Sequence, residues 1–146
     1  MNIEDRPSLY AEVHPVLAPG GRFAAYDLVL REGGLVYPTP WARDASTSFL
    51  LTERHTRTTL EQARFQAVLW RDDTQTAFDW FNAVMSVPPQ SGPNLGVVIG
   101  PDFPIIIGNL ARNIRENRLG VLAAVLTWKF NAGGSFSLPR TQGDVQ

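Results

Sequence analysis

The sequence contains no cysteine, which excludes a disulfide framework and a thiolate metal site. No apolar run approaches the roughly 20 residues of a membrane-spanning helix. Neither sign of charge dominates: 13 basic residues face 14 acidic ones, for a formal net charge of −1. With no basic run or stripe, nucleic acid is not expected as a partner. The opening residues Met1 to Arg6 have no apolar core and do not read as a secretory signal. A soluble, cytoplasmic protein without nucleic-acid or membrane partners is the expectation.

Several chemical signatures are missing as well. No Gly-x-Gly-x-x-Gly and no P-loop occurs, so dinucleotide or phosphate binding has no support. His14 and His55 have no carboxylate or second histidine at ligand spacing and read as ordinary helix residues. Ser46 and Ser48 lie outside any nucleophile-elbow pattern.

What is present is enough for one folded domain. The chain has 146 residues, 44% of them hydrophobic, with four tryptophans. A first helix is expected over residues 5 to 17, with Asp5 as N-cap and Pro7 in the first turn. Leu9, Val13, Val16 and Leu17 fall on one helical face, although Pro15 should kink or end the helix. Ala18-Pro19-Gly20-Gly21 turns the chain into a strand at 22–30, apolar on both faces except for Asp27. A long connection over 31–51 contains Tyr37-Pro38-Thr39-Pro40-Trp41. A threonine-rich helix at 52–64, a strand at 66–71 and a helix at 76–85 with Ala77, Phe81, Val84 and Met85 on one face follow. Residues 86–101 read as a Pro- and Gly-rich connection. A helix at 102–116 carries a stripe of Ile106, Ile107, Leu110 and Ile114, and 119–129 is the strongest strand signal. The remainder, 131–146, reads as a polar, flexible tail. The alternation of elements predicts a layered α/β sandwich.

Asp27 is the natural site candidate, because open α/β sheets bind ligands near the carboxyl ends of their strands. Against this stands a strand-end aspartate satisfied by loop amides. Trp41, Arg43 and Asp44 form a second candidate group, an aromatic, a cation and an acid in one loop. Its bland alternative is a loop anchored by Trp41 with Arg43 and Asp44 paired at the surface. Asp72 and Asp73, which end the second strand, suit turn or capping roles.

The stretch Leu9 to Asp27, with its Leu17-Ala18-Pro19-Gly20-Gly21 turn, resembles the helix and turn that feed the fifth strand of class I S-adenosylmethionine (SAM)-dependent methyltransferases. Tyr37-Pro38-Thr39-Pro40-Trp41-Ala42 followed by Ser48-Phe49-Leu50 resembles the loop after that strand in the branch related to sarcosine and dimethylglycine methyltransferases. Gly100-Pro101-Asp102-Phe103 and Asn109-Leu110-Ala111-Arg112-Asn113 resemble the same branch's last helix. Over about residues 1 to 130 the resemblance implies part of a Rossmann-like sheet. Strands 22–30, 66–71 and 119–129 would be the family's fifth, sixth and seventh, with the seventh in the middle and antiparallel. It places Asp27, Tyr37, Trp41 and Arg43 near the acceptor-substrate side. The sequence departs from the family at Pro15, in the threonine-rich helix, and at Arg64, where the family commonly has Gly.

The resemblance further implies that the family's Gly-rich loop and ribose-binding acid would lie upstream of Met1. The chain is therefore expected to begin at an internal methionine, to bind no cofactor alone, and to need a complementary half for SAM. A bared, apolar 22–30 edge is expected to pair with another chain, most simply in a two-fold dimer through Phe23, Ala25, Tyr26 and Leu28. The functions that follow are a non-catalytic, self-associating methyltransferase relative, one subunit or fragment of a methyltransferase acting on a small molecule, or a small-molecule binding module.

Overall fold

A computed structural model describes residues 1–87 and 95–129. In chain order the elements are α1 (Arg6–Val13), β1 (Arg22–Leu30), α2 (Glu53–Gln62), β2 (Phe65–Asp72), α3 (Thr74–Met85), α4 (Leu95–Ile99), α5 (Phe103–Arg115) and β3 (Leu119–Trp128). The strand order is β1-β3-β2, and β3 runs antiparallel to both neighbours. That is the order expected of the family's fifth, seventh and sixth strands. The tail expected at 131–146 lies outside the described residues, as do residues 88–94 of the 86–101 connection.

Local chemistry sets most of the boundaries. Asp5 caps α1 by accepting the Ser8 N–H at 3.0 Å, and Thr52 caps α2 by accepting that of His55 at 3.2 Å. The first helix is shorter than its apolar periodicity suggests. Pro15 cannot donate to Ala11, so the chain tightens into a 3-10 turn at His14–Val16. The tighter winding rotates Val16 to 80% exposure, whereas Leu9, Val13 and Leu17 still pack on the core. The 86–101 connection contains the short helix α4, which its Gly and Pro content hid.

The two faces of the sheet differ. On one, α1 and α2 close a core of Tyr10, Val29, Leu60, Phe65, Leu122, Ala124 and Leu126. Leu60 and Phe65 are each 1% exposed, and burying side chains of this size contributes about 1.5–3 kcal/mol each. Phe23 joins this face between Tyr10 and Phe65, at ring-centroid distances of 6.2 and 5.7 Å. On the other face lie α3 and α5. No residue of α3 is fully buried, and Trp80, Val84 and Met85 are exposed.

A β-bulge in β2 interrupts the register between Ala67 and Leu69. The extra residue, Val68, shifts the alternation by one. Trp70 therefore turns to the α2 side, where its Nε1 donates to Glu53 and Arg57 stacks on its ring. Among the described residues no helix is long and apolar enough to cross a membrane.

Candidate functional site

A concavity of about 680 Å³ lies between the sheet and the α3/α5 layer. Its floor is Tyr26 and Leu28 of β1 and Val121 of β3, which share a face because Leu28 pairs with Val121. Its α3 wall is Thr76, Ala77, Trp80 and Phe81, and α5 supplies Leu110 and Ile114 one turn apart. Pro40 and Trp41 close one side, and Met1 and Asp27 stand at the β1 edge.

Two asparagines of α5 set the connecting loop over this concavity. Asn109 donates from Nδ2 to the Pro38 carbonyl at 3.0 Å, and the buried Asn113 amide bonds both backbone groups of Val36. Trp41 is oriented by a 3.1 Å hydrogen bond from Nε1 to Ser48 Oγ. In the sequence both asparagines stand only within the stretch that resembles the family's last helix, and neither is marked as a loop anchor.

Asp27 lies three residues before the carboxyl end of β1, whose bounds are those expected. Its Oδ2 accepts from Arg6 Nη1 at 3.2 Å, its Oδ1 accepts the Leu28 N–H at 2.8 Å, and the Met1 amine lies 3.9 Å away. A buried arginine and the strand's own backbone, rather than loop amides, thus satisfy the carboxylate. Arg6 also donates to the Ile3 carbonyl at 3.1 Å. Burial lowers the Met1 amine below its ordinary value, against the opposing pull of Asp27.

Of the other acceptor-side candidates, Trp41 lines the concavity, whereas Tyr37 is half-buried in the clamped loop and does not line it. Arg43 is 83% exposed in its side chain and pairs with Asp102 at 3.4 Å. Asp44 does not pair with Arg43. It caps the Ala45–Thr47 turn by accepting the Ser46 N–H at 2.8 Å. Among the self-association candidates, Tyr26 is 63% exposed, Ala25 and Leu28 are half-buried, and Phe23 is turned into the core. His14 stacks on Trp128 at 3.6 Å, and His55 is exposed on α2. Asp72 accepts the Thr74 N–H at 3.0 Å and pairs with Arg31, which also bonds Asn117 at 2.8 Å. Among the described residues no three His, Asp or Glu side chains group as a metal site.

No protein-family model and no curated protein matches the sequence. Solved structures do match the fold. Geranyl diphosphate C-methyltransferase from Streptomyces coelicolor A3(2), solved with Mg2+, geranyl diphosphate and S-adenosyl-L-homocysteine, superposes with a TM-score of 0.61 at 13% identity over 88% of this chain and 45% of that one. Haemonchus contortus phosphoethanolamine N-methyltransferase 2, solved with SAM, gives 0.63 at 11% identity over 87% of this chain and 30% of that one. The chain carries part of the methyltransferase fold. The [4+2]-cyclase SpnF superposes too, with a TM-score of 0.52 at 16% identity over 84% of this chain and 44% of that one. The methyltransferase-like chain spans less than half the length of each of these proteins.

Proposed function

We propose that this methyltransferase-like chain supplies the acceptor side of the fold and does not bind SAM or transfer a methyl group by itself. The observation that carries this reading is the concavity beside the outer edge of β1. The Leu28 N–H on that edge is held by Asp27 and the Leu30 N–H by the Leu51 carbonyl at 2.9 Å. Period-two alternation leaves the Ala24 and Tyr26 backbone groups on the same edge, away from β3. In the family the fourth strand belongs there, and the Gly-rich loop and ribose-binding acid come from strands beyond it. The residues lining the concavity do not fit SAM, which needs partners for a ribose, an amino group and a carboxylate. A complementary half, supplied by more of the same polypeptide or by a separate chain, completes the cofactor site in this reading. The resemblance of Tyr37 to Ala42 and Ser48 to Leu50 is what supports placement near the sarcosine and dimethylglycine methyltransferases. Calorimetric titration of SAM into the purified chain tests the proposal. The expected result is no saturable heat, and tight one-to-one binding overturns it.

A second reading, self-association, is favoured by the exposed apolar surface. Tyr26 is 63% exposed, Trp80 68%, Val84 48% and Met85 46%, more than isolated surface apolar residues account for. The expected product is a two-fold dimer. A single monomer boundary in sedimentation velocity at micromolar concentration rules it out.

A further inference from the structure

We infer that the 680 Å³ concavity binds an uncharged, largely apolar organic molecule, rather than a phosphate, carboxylate or amine ligand. The inference rests on the acceptor-side reading and names the class of molecule that side takes. The volume is that of a site for a drug-sized ligand, in the usual range of about 300–1,000 Å³. Aromatic rings from three elements, Tyr26, Trp41, Trp80 and Phe81, supply flat apolar walls.

The charge inventory decides the class. Among the described residues no arginine, lysine or histidine lines the concavity, so an anionic group would enter without a side-chain partner from them. Asp27 is the one carboxylate lining it among the described residues. Both of its oxygens are engaged, one by Arg6 and one by the Leu28 N–H, so a cationic amine would have to displace an arginine whose side chain is 9% exposed. The Met1 nitrogen at the mouth faces Asp27 at 3.9 Å. The indole N–H of Trp41 is already committed to Ser48. The Thr76 hydroxyl remains as a neutral hydrogen-bonding group on the wall.

The test uses two probes that share an anilinonaphthalene skeleton and differ by one sulfonate: uncharged N-phenyl-1-naphthylamine and anionic 1-anilinonaphthalene-8-sulfonate. The expected result is one-to-one binding of the uncharged probe, at least tenfold tighter than the anion. Ala77→Trp, which places an indole in the concavity, is expected to weaken the uncharged probe at least tenfold. Trp80→Ala, at a 68% exposed position, is expected to weaken it several-fold, and Arg54→Ala, at an exposed position of α2 on the opposite face of the sheet, to leave it unchanged. Circular dichroism checks that each variant is folded. Equal or tighter binding of the anion overturns the inference. So does absence of binding, or uncharged-probe binding that survives in every folded wall variant, since that would place the probe on the open apolar surface. SAM binding to the chain would instead overturn the parent reading and leave the probe result standing.

Discussion

Asn113 holds Val36 by both ends of its side-chain amide. Nδ2 donates to the Val36 carbonyl at 2.9 Å, and Oδ1 accepts the Val36 N–H at 2.8 Å. The asparagine is 0% exposed, so this closed pair satisfies polar groups that water does not reach. It also fixes how the 36–42 loop lies over α5, and so one wall of the concavity.

Asn113→Ala leaves two backbone groups of Val36 without partners. At about 1–3 kcal/mol for each unsatisfied buried group, the variant should lose at least about 2 kcal/mol in urea denaturation. Trp41 emission should shift as the loop loosens. A loss under about 0.5 kcal/mol would mean that the clamp is incidental.

Arg64 follows α2 with a φ of 65°, the left-handed conformation that ends many helices and suits glycine. The resemblance marks this position as one where the family commonly has Gly. Its side chain is exposed, and the Lys129 N–H bonds its backbone carbonyl at 2.8 Å, which any residue supplies. Arg64→Gly should therefore stabilise the fold, by about 0.5–1 kcal/mol once glycine's larger unfolded-state entropy is subtracted from the relieved strain of roughly 1–2 kcal/mol. A lower unfolding midpoint would contradict this.

The Asp72 carboxyl is held below its ordinary 3.8 by the Thr74 hydroxyl and backbone N–H, with a smaller contribution from Arg31. A carboxylate with a depressed folded-state pKa stabilises above its unfolded value, and the contribution is lost as pH falls through the folded value. The stability gap between wild type and Asp72→Asn should be constant near neutrality and narrow below pH 3.8. Urea midpoints measured from about pH 6 to 2 check this, and a gap that stays constant would refute it.

Trp80→Glu adds a charge to the exposed face of α3 without touching the closed core around Leu60 and Phe65. Buried in a self-association interface, an unpaired carboxylate is costly. The sedimentation coefficient should fall toward that of a monomer while the unfolding midpoint stays within about 0.5 kcal/mol of wild type. An unchanged oligomer would remove this face from the interface.

Apart from α4, the chain's order of elements was legible in its sequence, and so were several boundaries. Asp5 and Thr52 cap helices through bonds to residues three positions on, and Pro15 ends α1 by lacking one donor. Such information is local, carried by hydrogen bonding and apolar periodicity within a few residues. The middle position of β3 was legible only through the resemblance, because strand order is not a property of any one segment. Tertiary structure decided the rest. Val68 is a strand residue by pattern, yet its bulge moves Trp70 to the α2 side and Leu69 away from it. Asp27 meets Arg6 across 21 positions, and Asn113 meets Val36 across 77. Contacts of that separation exist only once the sheet has paired and α5 has packed on it. The concavity follows from the same closure, because its walls come from segments that no local signal joins.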